Sequence, residues 1–565
     1  MSLFGSIQMG GNSLRANDIA LQVVGQNIAN ANTPGYIREE VVLTPAATQK
    51  LGNLLLGMGV DVEAVVQKVD KFLEERLRGA VSDSSSANVL QQTYTQLEGV
   101  VDALSDTDLS AALNNFFNSI SDILNQSDDV SIRNQSVLQG QTLAQDIQRM
   151  SQRVEALRSD ANDRVRNMAG EINKLISNIS GLNIKIAELQ GGSTSKSDAV
   201  GLTDQRANAL EELAGLINIQ TVEQPDGTVT VYCGGDYLVF AGIARSVEAV
   251  VDSESGTSNV DIRLADTDSK LDCSSGELKG LLDSRDIVLQ DYIDELDDFA
   301  KTLIFEFNKI YSSGQGLSGY STLTGAYRVD DSSKPLNDAG LTFTPQNGSF
   351  QALVHNKKTG LTTTSDLLVD LNGMGHETTL EDLRDSLNGI SGIQAEILIG
   401  GQLKINGKSS DDEIAFANDT SGVLAALGLN VFFTGASASD LDVSAVVEND
   451  PAKFAASQGG IGADTKTAQV LAQFLDYPIQ SHNGESLGVI YDNMMAEVAQ
   501  GSSVSKTVAD GAQAFVSSLQ GQKMSTSGVN LDEEAIKMIT YQRAYQASAK
   551  FIATISDLLE LLVNI

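Results

Sequence analysis

The 565-residue chain has no tryptophan, seven prolines, three histidines and two cysteines. Each scarcity excludes something. Aromatic residues make up only 5 % of the total, which suits long helices with thin seams better than one thick globular core. Cys233 and Cys273 do not make a disulfide framework; two buried thiols is the default reading, and a pairing of the two is the alternative. No apolar run reaches the ~18 residues of a membrane span. The start lacks the charged region and continuous apolar core of a signal peptide, and its first basic residue is Arg15. The expectation is a cytosolic protein, or one exported without a cleaved signal. Basic residues are also short: 38 Lys+Arg stand against 74 Asp+Glu, a net charge of −36. Nothing supplies a basic face for nucleic acid or for an anionic membrane surface. The acidity reads as a soluble surface that resists clumping.

Recognisable chemistry is missing too. His355, His376 and His482 lie far apart in sequence, and neither HxxxH nor CxxC spacing occurs to hold zinc. There is no GxxxxGK[ST] phosphate loop. Gly314, Gly316 and Gly319 form GxGxxG, but after a predicted helix rather than between a strand and a helix. The dinucleotide reading therefore fails its context, and a flexible helix exit is expected. Asp330-Asp331 and Asp411-Asp412 read as solvated turns, since their spacing fits no EF-hand calcium loop. No catalytic, cofactor-binding or metal residue is expected, and no enzyme activity.

What the chain does have is an amphipathic helix at each end. In 1–33, Ile7, Leu14, Leu21 and Ile28 recur every seventh residue. In 529–565, Met538, Tyr541, Tyr545, Ser548, Ile552, Ile555, Leu559 and Leu562 follow 3-4 spacing, and only Ser548 breaks the apolar rule. Such seams call for partner helices. Phe551, Leu558 and Ile565 add a second row, so the last helix is apolar over a wider face than one partner covers. Asn530 and Glu533 make a box-like start for it. The first helix ends at NANTPGYI, where Asn30, Asn32, Pro34, Gly35 and Tyr36 form an exit loop. Extended pieces follow to residue 66.

Between the ends, helices are predicted at Val69–Arg78, Val89–Leu104 and Leu109–Leu124, with Asp108 and Ser110 near the third start. Sevens beginning at Ile147 and ending at Leu189 predict one helix of about 45–50 residues, on the order of 70 Å long, closed by Gly191-Gly192-Ser193. A helix over Asp204–Leu216 leads to a hairpin of 217–223 and 228–233 around Pro225-Asp226-Gly227. Another helix covers 278–311. From about 314 to 460, short strands dominate: Leu341–Phe343, Ala352–His355, Gln394–Ile399, Gln402–Ile405 and Glu413–Phe416. Gly400-Gly401 turns a hairpin, and helices are placed at Leu380–Leu387 and Gly422–Leu427. Helices return at 466–476 and 487–525, the latter with a stripe of Val498, Val508, Ala512, Phe515 and Leu519.

The predicted fold class is α+β and multidomain. Residues 1–67 with 529–565 form a terminal coiled-coil assembly domain. Residues 68–312 with 461–528 form a long-helix bundle rod that includes a small β-hairpin region, 217–265. Residues 313–460 form inserted β-rich outer domain(s), including a small α/β module at 380–430.

The ends also carry a family likeness. QNIANANTPGYIRE (26–39) and SGVNLDEEAIKMITYQRAYQASAKFIATISDLLELL (527–562) resemble the two terminal signatures of axial flagellar proteins. GLTDQRANALEELAGLINIQTVEQPDGTVTVYCGG (201–235) and GELKGLLDSRDIVLQDYIDELDDFAKTLIFEFN (276–308) resemble the hook-associated branch that forms the hook–filament junction. The likeness covers about 1–312 and 460–565, and 380–430 is similar to a module inserted in several hook-associated proteins and flagellins.

That resemblance implies a structural protein of the extracellular flagellum. It would pass unfolded through the type III export channel and form a homo-oligomeric ring on the hook protein, beneath a second junction protein that adjoins flagellin. Its terminal helices would pair through Ile7, Leu14, Leu21 and Ile28 with Ile552, Ile555, Leu559 and Leu562, flanked by Met538, Tyr541 and Tyr545. A cytosolic export chaperone would cover the C-terminal helix beforehand. The alternative within the family is a hook or distal-rod axial subunit. A filament protein with an inserted enzyme would need an HExxH-like motif that the insert lacks, and a free adhesin would carry its function in the β insert.

Overall fold

The computed structural model describes residues 3–51, 54–102, 109–191, 199–252 and 259–563. In chain order the helices are α1 (Leu3–Asn30), α2 (Lys71–Asp102), α3 (Leu109–Ile123), α4 (Val130–Gly191), α5 (Val200–Leu216), α6 (Glu277–Asp283) and α7 (Leu289–Tyr311). They continue as α8 (Leu380–Asn388), α9 (Val423–Leu427), α10 (Ala445–Asn449), α11 (Lys466–Ala472), α12 (Leu487–Ser527) and α13 (Leu531–Val563). Short antiparallel strands lie between them, and the fold is α+β and multidomain. Asp108, Leu104, Gly192, Ser193 and Ile565, named above, lie outside the described residues.

By compactness the chain divides into two units. The first comprises Met1–Thr93, Ser159–Arg285 and Ser503–Ile565. Its main core sets Val165, Ile172 and Ile179 of α4, with Leu210 and Leu213 of α5, against Val231, Leu238, Val260 and Ile262. Those last four sit on short strands. Gln220–Glu223, Val229–Cys233, Asp236–Phe240 and Ile243–Ala244 pair in sequential order, and Val247–Asp252 pairs with Asn259–Leu264. The predicted turn closes the first hairpin: Asp226 Oδ1 accepts from the Thr228 amide at 3.0 Å. A second seam joins Leu73, Leu77 and Ala80 of α2 to Val516 and Leu519 of α12.

Sequence expected a break in α2 at 79–88, where Gly, Ser and Asp weaken a helix. The helix is continuous because this stretch has partners. Ser82 Oγ meets Ser275 Oγ at 2.8 Å, and Ser84 Oγ donates to Gln513 at 3.3 Å. Gly280 of α6 lies so near α2 that an added Cβ would be 2.8 Å from the Ser86 carbonyl oxygen. Helix 278–311 is broken instead, by a π turn at Ser284–Val288. The turn seats the buried Arg285, which donates to the Val260 carbonyl and to Asn162 Oδ1.

The second unit comprises Tyr94–Arg158 and Asp286–Ser502. The expectation of thin seams fails here, because many of the chain's few aromatics are gathered into one cluster. Phe116, Phe117, Phe307, Phe432, Phe433, Phe454 and Phe474 share a single core. Their rings meet at centroid distances such as 4.8 Å for Phe432–Phe433 and 5.3 Å for Phe307–Phe433. Leu143, Ile147 and Val154 of α4 and Met494 and Val498 of α12 complete it. Helix α4 is 62 residues long, well beyond the predicted length. It begins after Asp129, whose Oδ1 caps the Ser131 amide at 2.7 Å, and Leu189 near its end is exposed.

Beyond that cluster, two three-stranded sheets have a core of their own. One runs Leu361–Val369, Gly348–Asn356, Asp412–Ala417; the other Thr322–Thr324, Leu403–Gly407, Ile393–Ile397. Helix α8 packs on them behind a capping box of Thr379 and Asp382. Both sheets of the 380–430 module thus borrow strands from upstream of it. Leu341–Phe343 is not a strand. Phe343 instead stacks on Phe305 at 5.0 Å. The Thr-rich strand Leu361–Val369 was not foreseen. Gly401, at φ +81°, turns the predicted hairpin. The GxGxxG segment is a tightly packed crossing rather than a flexible exit. An added Cβ at Gly316 would lie 2.6 Å from the Ala452 carbonyl oxygen, and the amides of Gln315 and Leu317 are taken by the carbonyls of Ser457 and Ala452.

Units divided by compactness do not coincide with the three-part division read from the sequence. Their borders fall inside α2, α4, the π turn and α12.

Candidate assembly site at the terminal helices

Helices α1 and α13 lie side by side within the first unit. Ser13 Oγ is 3.1 Å from Ser548 Oγ, Asn27 meets Glu534, and an added Cβ at Gly10 would lie 2.7 Å from Ile552. Residue numbers rise along one helix as they fall along the other, so the pair is antiparallel. The contact between Ser13 and Ser548 accounts for the one polar break in the C-terminal stripe.

On α13 the seam falls where the spacing put it. Tyr541, Tyr545, Ser548, Ile552, Ile555 and Leu559 are half-buried, but Met538 and Leu562 are exposed. On α1 the buried stripe differs from the predicted one. Ser6, Gly10, Ala16, Ala20, Val23, Val24 and Asn27 are buried, whereas Ile7, Leu14, Leu21 and Ile28 lie half-buried on its flank. The reason is steric. Small residues let two helix backbones approach closely, and the Gly10–Ile552 contact leaves no room for a larger side chain.

A polar node closes the pair at the start of α13. Arg38 Nε and Nη2 both donate to Glu534 Oε1, at 2.9 and 2.6 Å, and Arg38 Nη1 reaches Glu533 Oε2 at 3.1 Å. Asn27 Nδ2 donates to Glu534 Oε2 at 3.0 Å and to the Glu39 carbonyl at 3.0 Å. Asn27 Oδ1 accepts from Tyr36 Oη and from the Glu39 amide, each at 2.9 Å. Glu534 is fully buried. Such a charge is tolerable only when paired and hydrogen-bonded, and here both its oxygens are engaged. Burial works against the Arg38 charge, but Glu534 and Glu533 more than offset it. Burial, with help from Glu39 and Asp204, raises the Tyr36 hydroxyl well above its usual range. Beside the node, burial lifts the Asp204 carboxyl to about 6, opposed by hydrogen bonds from the Ile37 amide and Gln67. Asn530 caps α13 as expected, accepting from the Asp532 amide at 3.0 Å.

The exit loop is held by short bonds. The Thr33 amide donates to the Asn30 carbonyl at 2.9 Å and the Tyr36 amide to the Thr33 carbonyl at 3.2 Å. Gly35, at φ +73°, faces Asn208 so closely that no Cβ fits. Asn32 and Pro34 are exposed. A cleft of about 740 Å³ opens here, walled by this loop, Asn208, Glu211, Lys523, Met524 and Val529. Asn27, Arg38, Glu39 and Glu534 were missed as site residues. The signal for them was their place inside the two terminal motifs, as polar residues level with an apolar seam.

Much of α13 stays uncovered. Leu531, Ile536, Ile539, Phe551, Leu558 and Leu561 are all exposed, from 37 % for Phe551 to 66 % for Ile536. Among the described residues, no helix is long and apolar enough to cross a membrane, and no three His, Cys, Asp or Glu side chains converge as metal ligands.

Comparison with known proteins is consistent along the chain. A family model described as Flagellar hook-associated protein FlgK helical domain matches residues 94–325. Models described as Flagella basal body rod protein and Flagellar basal body rod FlgEFG protein C-terminal match 7–36 and 520–565. Flagellar hook-associated protein 1 of Salmonella typhimurium is 24 % identical over 579 aligned residues, covering 98 % of each chain. The proteins of the same name from Escherichia coli and Bacillus subtilis are each 23 % identical, covering 98 % and 100 % of this chain and 98 % of their own. The solved structure of the flagellar hook junction protein FlgK from Burkholderia pseudomallei has a similar fold, with a TM-score of 0.51 at 16 % identity over 80 % of this chain and all of its own. Over 98 % of its length the chain is similar to flagellar hook-associated protein 1.

Proposed function

We propose that this chain is the structural joint between hook and filament of the bacterial flagellum, and that it assembles through its paired terminal helices. One observation carries the reading. The antiparallel α1–α13 pair closes its own seam with small residues yet leaves a long apolar row of α13 uncovered. A face of that extent on a terminal helix needs further partners. The half-buried flank of Ile7, Leu14, Leu21 and Ile28 supplies the complementary surface on a neighbouring copy. The copies form a ring seated on hook protein and followed by the second junction protein that adjoins flagellin. Before assembly the same row is covered in the cytosol by an export chaperone, and the chain leaves the cell without a cleaved signal peptide. The protein acts as a joint and not as an enzyme. Terminal, rod and outer domains as divided from the sequence describe these roles: assembly, spacing and outer surface.

The double variant L558S/L561S tests this. Both positions are exposed, so the isolated chain should keep its helix content. Cells carrying it should keep their hooks, shed flagellin into the medium and not swim. Motile cells with attached filaments would overturn the reading. A hook or distal-rod subunit is disfavoured by the match of 94–325 to a hook-associated helical domain.

A further inference from the structure

We propose that Cys233 and Cys273 are a modification site, at which a small disulfide oxidant converts two buried thiols into one intramolecular disulfide that staples the small β region. Cys233 ends the strand Val229–Cys233, and Cys273 lies in the segment between Asn259–Leu264 and α6. Their sulfurs are 3.3 Å apart, both residues are free thiols, and both are buried. The approach is fixed by the backbone rather than by chance rotamers. Gly234, at φ +57°, lies so close to the second segment that an added Cβ would be 2.3 Å from the Asp272 carbonyl oxygen. No other cysteine exists in the chain to compete. A cleft walled by Asn218, Gln220, Tyr232, Cys233, Asp272 and Ser274 gives a small reagent a way in.

The chemistry balances with a disulfide RSSR as oxidant. One cysteine sulfur, losing its proton, attacks RSSR, forms a mixed disulfide and expels RS⁻. The second sulfur attacks the mixed disulfide at the first, forms the Cys233–Cys273 bond and expels the second RS⁻. The two protons pass to the released thiolates, so two protein thiols are oxidised and one RSSR becomes two RSH. The neighbouring sulfur, and then burial, hold the Cys273 thiol well above its usual range. Alone, the Cys273 thiol is a poor nucleophile; with the two sulfurs adjacent, the pair closes quickly once one has reacted. A reducing cytosol keeps the pair open while the chain must be threaded, and oxidising surroundings close it. This compartment logic rests on the proposed flagellar role, but the closure itself does not.

The test uses the purified full-length chain, equilibrated with oxidised glutathione. Expected are a fall from two titratable thiols per denatured chain to none, a mass loss of two hydrogens, and a cross-linked peptide pair in a non-reducing digest. Oxidation closes a long loop and should raise the melting temperature of the unit by roughly 5–10 °C. The C233S/C273S chain should show no such shift. Two surviving thiols, glutathione left on either cysteine, or covalent dimers would overturn the proposal. A closed disulfide with an unchanged melting temperature would overturn the stapling. None of these outcomes depends on whether the protein joins hook to filament.

Discussion

Glu534 carries the clearest residue-scale argument, because a fully buried carboxylate has no neutral substitute for its partner. Replacing Arg38 by Met leaves the charge without its guanidinium. Removing one member of a buried pair costs about 3–5 kcal/mol. R38M should therefore lose hydrogen-exchange protection by about that amount in the first turns of α13. The double variant R38M/E534M, which buries no charge, should recover most of it. Asp204 supplies the pH dependence. Its folded carboxyl titrates at about 6, above the ordinary aspartate value of 3.8, mainly because it is buried. The folded state thus favours the protonated form. The stability it contributes is present below about pH 3.8 and is lost as pH climbs through 6. D204N cannot ionise, so its melting temperature should gain on the native chain between pH 5 and pH 8. An unchanged difference between the two across that range would count against the burial argument. Neither residue was legible in the sequence as a site residue. Arg38 and Glu534 stand 496 positions apart, and a single sequence has no periodicity that links them.

At the scale of elements, hydrophobic spacing located α1 and α13, while the most deeply buried positions of α1 differ from the heptad ones. The reason is that spacing weighs side chains by apolarity, while Gly10, Ser13 and Asn27, which meet α13, are small or polar. The same blindness explains α2. Its central GAVSDSSSAN looks like a break by intrinsic preference, and only tertiary partners keep it helical. Where turn chemistry and alternation agreed, as at Pro225-Asp226-Gly227 and Gly400-Gly401, the hairpins stand as read. The antiparallel register can be checked directly. In a C233S/C273S background, S13C/S548C should cross-link on mild oxidation, since the serine oxygens lie 3.1 Å apart. S13C paired with Q542C should not. G10L should weaken the first cross-link several-fold, because any Cβ at that position meets Ile552.

For the whole molecule, composition was a poor guide to where aromatic mass would sit. Phenylalanines that look sparse along the chain are collected at α3, α7 and the 432–474 region. F307A removes a ring that touches Phe116, Phe432, Phe433 and Phe474. It should destabilise the second unit by about 3–5 kcal/mol in chemical denaturation, while the S13C/S548C cross-link in the first unit still forms. The family likeness, by contrast, was legible at once from the terminal motifs, and those short segments also hold both the exit loop and the polar node.

The antiparallel seam joins positions as far apart as Ser13 and Ser548, 535 residues from each other. Closing so long a loop is entropically slow and waits for distant contacts. Because α13 follows α1 only after every intervening element, α1 has no mate until those elements have been made. The seam thereby ties the two ends together: a product that stops short of α13, however well its middle folds, presents an unzipped first helix.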